Sequence, residues 1–344
     1  MNKGRVIPFS SAANAVSLAL EIGGSLAVLR LAHLVDGWKD LYRYVGRLTE
    51  ARAGVVSDGK FEGPFAPVLK SVLAGRFYLR NRIQKLDNIR KIVKARAASY
   101  PRTRNPEPLV SVVLPTHNRC GLLMERAIPS VLNQTYANIE LIVVGDGCTD
   151  DTERMVRGLE LDRVKFLRLP ESAWRPHEGY DAWLVAGVDA SNMGMRMSRG
   201  DWIVHLDDDD ELMPEHVDVL LRFAIENDLE MAYGRVVAVM EDGERIELGS
   251  FPPELGKMTH SGVLLSSRLR FFSYDRNTWK YLEPGDWSLW RRMKEAGVRM
   301  GFLDRVLGVI YPAGPGAYHC EQSRMSRANR KDEAALSKKY LTRD

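Results

Sequence analysis

The spacing of apolar residues changes character once along the chain. Between residues 76 and 96, Ile83, Leu86, Ile89 and Val93 recur at helical spacing and predict an amphipathic helix. From Val110 onward the pattern becomes short β-branched runs, VSVVL (110–114), IELIVV (139–144) and WIVHL (202–206), separated by helical stretches. LLMERAIPSVLNQ reads as a helix that Pro129 bends or starts. Further helices fall around Asn192–Ser198 and from about Pro214. This βαβ order predicts a mostly parallel, doubly wound α/β sheet. The intervening AASYPRTRNPEPL (97–109) holds three prolines and no apolar period, so it reads as a linker. The expected organisation is a helical region over 1–96, the linker, an α/β domain over 110–325 and a basic helical tail over 326–344.

Composition adds little to this picture, and the distribution of charge adds more. With 344 residues, 45% hydrophobic and 27% charged, the chain has the make-up of an ordinary globular protein. The net charge of +4 hides a concentration of cations on the helix of 76–96: Arg80, Arg82, Lys85, Arg90, Lys91 and Lys94, against Asp87. Such a helix suits an anionic membrane surface, or it packs on the α/β domain with a solvated basic face. No nucleic-acid-reading motif accompanies it, so nucleic acid is not an expected partner. Glu21 and Arg30 interrupt the apolar N-terminal stretch and leave no charge-free window of the roughly 18 residues that spanning requires. No signal-peptide pattern is evident either. Cys120, Cys148 and Cys320 fit no zinc spacing, and their odd number suits a reducing compartment. A cytoplasmic protein is expected, peripheral at the inner face of the membrane if the basic helix binds there.

The chemistry gathers at strand ends. PTHNR follows the first strand, GDGCTDD the second, and the four aspartates Asp207–Asp210 follow WIVHL. Ligands of such sheets bind beyond the carboxyl ends of the strands. Carboxylates brought to one edge repel each other, a cost that a bound dication removes. Mg²⁺ and Mn²⁺ both take carboxylate oxygen and share their shell with substrate phosphates. The competing reading is a solvated acidic loop that caps the following helix. His117 and His205 read as hydrogen-bonded loop and core histidines respectively.

At this point a resemblance is plain. The stretch from Val110 to Thr152 is similar to the opening of glycosyltransferase family 2, whose domain has the GT-A fold. SNMGMRMSRGDWIVHLDDDDELMP resembles that family's aspartate motif, and PGDWSLWRRMKEAG resembles its segment bearing the catalytic base. The likeness runs from Val110 to about Arg324. It implies an inverting, metal-dependent transfer of a sugar from a nucleotide-diphosphate donor to a glycan or lipid-linked acceptor, in cell-surface polysaccharide or lipopolysaccharide assembly. By the same resemblance Asp146 binds the nucleobase, flanked by Pro115 and Thr116, with Asn118 in the same loop. Asp207 lies near the ribose with Asp208 beside it, Asp209 binds the Mn²⁺ or Mg²⁺, and Asp286 is the general base. His260 falls on the acceptor or phosphate side, and His319 resembles a late histidine that completes the metal shell or contacts the diphosphate. Trp287, Trp290 and Trp279 surround the base, and one of them is expected to line the acceptor groove, since Leu289 and Trp290 are not expected to share the interior equally.

Two departures stand out. The family commonly has two acids before the glycine of its second motif, and here the first is Gly145, with Cys148 in place of a serine after it. The segment ESAWRPHEGY (171–180) lengthens the loop before the aspartates, and Arg175 or His177 reaches the diphosphate if that loop folds over the site. The rival readings are three: a nucleotidyltransferase, which PTHNRCG lacks the glycines for; a processive membrane synthase, which would carry spanning helices and Q-x-x-R-W; and a degenerate, membrane-recruited scaffold. Asp146, Asp209 and Asp286 weigh against the last.

Overall fold

The structure is a computed structural model that describes residues 5–6, 66–98, 107–170, 179–281 and 283–313. The chain divides into two compact units, Met1–Ile7 with Ile92–Asp344, and Pro8–Lys91. Arg175, His177, His319 and the tail of 326–344 lie outside the described residues, as do residues 99–106 of the expected linker.

The long helix α1 (Ala66–Ala97) covers the predicted basic stretch. The buried positions in its last turns are Asn88 and Ile92, the latter 2% exposed, whereas Val93 stands 55% exposed, one residue out of phase with the predicted stripe. From Ile92 the helix belongs to the larger unit, where Arg96 donates to both carboxylate oxygens of Glu230, at 2.8 and 2.6 Å.

In the larger unit, β2 (Val110–Thr116) and β3 (Ile139–Asp146) are buried at every position. An unbroken apolar run of this kind forms a strand when both faces of the sheet are covered. β2 pairs in parallel with β3 on one side and with β5 (Trp202–His205) on the other, and β3 pairs with β4 (Val164–Leu169). Val110, Val112 and Leu114 point into one core with Leu123, Ala127, Ile128 and Val131 of α2 (residues 120–132). The alternate residue Val113 faces α5 (Val188–Met197), where a Cβ on Gly194 would run into its side chain. Pro129 leaves its mark one turn upstream: Leu123–Ala127 is a π turn, and the α pattern resumes over Ile128–Leu132. Proline lacks the N–H for the ladder, and widening that turn is one way a helix absorbs the gap.

The rest of the sheet is mixed. β9 (Leu264–Ser266) lies antiparallel between β5 and β7 (Met231–Val239), and β10 (Met300–Ile310) runs parallel to β7. The short strands β1 (Arg5–Val6), β6 (Glu211–Leu212) and β8 (Arg245–Leu248) add to β10, β10 and β7 respectively. At the opposite edge from the strand ends, the buried carboxylate of Glu140 accepts from the Ser111 hydroxyl (2.7 Å), the Arg199 main chain (2.7 Å) and Lys165 (3.1 Å). That one side chain ties β2, β3, β4 and the turn into β5 together. Chain order reverses at β2, which sends the following loops to opposite sides and opens a crevice between them.

Candidate active site

The crevice is a cavity of about 620 Å³. Its wall includes Pro115, Thr116, His117 and Arg119 after β2, Asp146 at the end of β3, and all four aspartates after β5. Opposite them stand His260, Tyr274, and the first turn of α7 (Gly285–Glu295) with Asp286 and Trp287. The residues singled out as Pro115, Thr116, Asp146, Asp207, Asp208, Asp209, His260, Asp286 and Trp287 therefore share one cavity. Asn118 is not in its lining. It adopts a left-handed φ of 52°, and its side-chain oxygen accepts from the main chain of Thr149 (2.7 Å) and Asp150 (3.3 Å). Its place is that of a clasp between the loops after β2 and β3.

Asp146 is buried, and its main-chain carbonyl accepts from the ring of His117 at 2.5 Å. The departure at Gly145 has a steric cause. A Cβ there would lie 2.6 Å from the Phe166 ring and 3.1 Å from the Cys148 sulfur. An acid at that position does not fit beside this phenylalanine.

The four aspartates have four different environments. The Asp207 carboxylate sits 2.8 Å from Nδ1 of His260, and its main-chain N–H donates to Ser261 Oγ at 3.0 Å. Burial alone would raise its carboxyl, but His260 holds it below the usual range. Asp208 is buried and pushed up to about 6 by that burial, with Arg119 at 3.3 Å acting against it. Asp209 is more open and pairs with the same Arg119 nitrogen at 2.5 Å; burial and then the charge of Asp207 raise its carboxyl. Asp210 accepts from Ser261 Oγ (2.5 Å) and the Tyr311 main chain (3.1 Å), and burial holds it well above the usual range. It is a strut joining the loop before β9 to the end of β10.

Asp286 lies in the first turn of α7, with Pro284 as N-cap residue, and its carboxylate accepts from the Trp287 N–H at 2.7 Å. Burial pushes it up to about 6, against the pull of His260. His260 stands between the two acids: burial disfavours its charged form, yet Asp207 and Asp286 hold its ring above the usual value. Beneath it, His205 is fully buried against Tyr274 and Trp290 and is kept neutral by burial. Of Trp279, Trp287 and Trp290, Trp287 is the one that lines the cavity, while the expectation that Leu289 and Trp290 would not share the interior fails: both are completely buried. A helix turns by about 100° per residue, so adjacent positions both disappear when the helix is covered on two sides.

Arg119, Ser261, Tyr274 and Tyr311 belong to this site without having been singled out in the sequence. Arg119 had a legible signal, a cation in PTHNR ahead of an acidic cluster at the same sheet edge. The others owe their place to contacts across the fold.

Among the described residues no three His, Cys, Asp or Glu side chains converge to hold a metal. What is present is a pair of carboxylates, Asp207 and Asp209, in which the first raises the second by like-charge repulsion. That donor set fits a dication completed by substrate phosphate oxygens rather than a closed protein cage.

The model of the family described as "Glycosyl transferase family 2" matches residues 111–180 and 185–290, just over half of the chain. The chain belongs to glycosyltransferase family 2. Its mixed α/β sheet is the fold expected for that family. Among curated relatives, an uncharacterized glycosyltransferase of Haemophilus influenzae is 30% identical over 154 residues, 44% of this chain and 56% of its own. The hyaluronan synthase of Pasteurella multocida is 29% identical over 172 residues, 49% of this chain and 16% of its own. The GalNAc(5)-diNAcBac-PP-undecaprenol beta-1,3-glucosyltransferase of Campylobacter jejuni is 33% identical over 121 residues, 35% of each. In all three the match spans less than two thirds of the relative's length. The solved structure of S. aureus TarS 1–349 aligns at 15% identity and a TM-score of 0.45, covering 67% of this chain and 72% of that one.

Proposed function

We propose that this family 2 chain is an inverting glycosyltransferase that moves a sugar from a nucleotide-diphosphate donor to an acceptor hydroxyl. The observation that carries the reading is the placement of Asp146, the aspartate run and Asp286 on one cavity, although 140 residues of sequence separate the first from the last. In this reading Asp146, with Pro115 and Thr116, holds the nucleobase, and Asp207 faces the ribose. A Mn²⁺ or Mg²⁺ ion on Asp209 would stabilise the charge gathering on the leaving diphosphate.

Asp286 takes the proton of the attacking hydroxyl. Its raised carboxyl remains largely ionised at neutral pH and is a stronger base than an ordinary aspartate. One base facing a leaving group across the sugar implies a single displacement and hence inversion. Trp287 offers the acceptor an aromatic face beside that base. The hyaluronan synthase and the undecaprenol-linked glucosyltransferase among the relatives support a glycan or lipid-linked acceptor and a role in cell-surface polysaccharide assembly. Exposed Arg82, Arg90, Lys91 and Lys94 on α1 support docking at an anionic membrane surface. Among the described residues no helix is long and apolar enough to cross a membrane.

The test separates binding from chemistry. Asp286→Asn is expected to bind the nucleotide as tightly as the wild type, by calorimetry with Mn²⁺ present, while transfer falls by about 10³-fold or more. Asp209→Ala is expected to lose the Mn²⁺-dependent part of nucleotide binding. Full turnover by Asp286→Asn would place the base elsewhere.

A further inference from the structure

We propose that Arg119 occupies the aspartate run as a built-in cation until the nucleotide arrives, and that its transfer to the diphosphate makes metal binding depend on the nucleotide. This inference rests on the donor and dication reading above and adds a positioning residue to it.

The geometry is specific. A single guanidinium nitrogen of Arg119 lies 3.3 Å from Asp208 Oδ1 and 2.5 Å from Asp209 Oδ2. Asp209 is the carboxylate assigned to the dication, so arginine and metal compete for the same carboxylate. Two cations within a few ångströms of one carboxylate repel each other strongly in a half-buried site. With a pair of carboxylates as the protein side among the described residues, a metal alone has little to offset the displacement of that ion pair.

The arm of Arg119 is fixed at its root and open to the cavity at its head. Asn118, one residue before, is locked by its hydrogen bonds to Thr149 and Asp150, whereas the Arg119 side chain is 50% exposed and lines the cavity. The neighbouring cation does not touch the carboxylates: the guanidinium of Arg126 stacks 4.0 Å over the Tyr311 ring and reaches the main-chain carbonyl of Asp209 at 3.5 Å. A diphosphate supplies oxygens to both cations at once, and guanidinium pairs with phosphate as well as with carboxylate. Once Arg119 moves to phosphate, Asp209 is open to the dication. Binding of either ligand must then strengthen the other by the same factor.

The experiment is calorimetric titration of Mn²⁺ into the full chain, alone and with saturating UDP or GDP run in parallel. Wild type, Arg119→Met and Arg119→Lys are compared, with thermal unfolding as the check on folding. In the wild type the nucleotide is expected to tighten Mn²⁺ binding by about ten-fold or more, the worth of one charge-assisted hydrogen bond. In Arg119→Met, Mn²⁺ alone is expected to bind about ten-fold tighter than to wild type, and the effect of the nucleotide to shrink by about the same factor, leaving the part that comes from phosphate oxygens on the metal. Arg119→Lys keeps a cation on the arm and is expected to retain the wild-type coupling. An unchanged coupling in folded Arg119→Met overturns the role of Arg119 and leaves the dication reading standing. A wild type that binds no Mn²⁺ with either nucleotide overturns the dication reading, and this proposal with it.

Discussion

The Asp286 carboxyl is pulled in two directions. Its helix N-terminus, the Trp287 N–H and His260 favour the charged form, while burial favours the neutral one and prevails, at about 6. A base raised in this way loses its working form as pH falls through its own value. Transfer measured as kcat/KM is therefore expected to drop about ten-fold per unit below about pH 6 and to level off above it. Initial rates between about pH 5 and pH 8 check this, and a profile flat down to about pH 5 would remove Asp286 from the role. At this scale the sequence carried much of the site. Asp146, Asp207, Asp209 and Asp286 stand at strand ends and a helix start, where local pattern is informative. Ser261 and Tyr311 were illegible, because the contacts with Asp210 that place them in the site span 51 and 101 residues of sequence.

Single elements are held in register by a few polar anchors. Glu140 is the clearest. Burial would raise its carboxyl, but the hydrogen bonds from Arg199, Ser111 and Lys165 prevail and hold it at about 2, against 4.5 for the free group. Its stabilisation is fully present above the unfolded value of 4.5 and is lost as pH falls from there toward about 2. The shift corresponds to about 3 kcal/mol. Glu140→Gln is expected to lower stability by about 2–4 kcal/mol in denaturant titrations near neutral pH, and to lose less than the wild type on acidification. A variant as stable as wild type at neutral pH would show that the cluster does not anchor β2, β3 and β4. The strand positions themselves were legible, since β-branched runs bounded by turn residues announce them. The phase of α1 was not: Ile92 and Val93 are equally apolar, and only the packing surface decides which is covered.

For the molecule as a whole, the position of β2 between β3 and β5 is what brings three distant loops to one crevice. The larger unit also contains the last turns of α1, anchored through Arg96 and Glu230. The exposed cations before that anchor lead to a further expectation. The full chain should sediment with vesicles containing anionic lipid and remain free with neutral ones. The triple variant Arg90→Glu, Lys91→Glu, Lys94→Glu should lose most of this binding, since each such cation contributes about 1 kcal/mol at an anionic surface. Equal sedimentation of variant and wild type would leave α1 without a membrane role.

By itself the sequence determined the α/β character of residues 110 onward, the family and the acids at the strand ends, because apolar period and turn chemistry are local and act wherever the chain goes. It could not determine what each acid does. Four adjacent aspartates are chemically identical in sequence. The tertiary structure gives Asp207 a histidine, Asp208 and Asp209 a shared arginine, and Asp210 a serine and a backbone N–H. Their different affinities for a proton follow from burial and partners, and both exist only after the strands have paired.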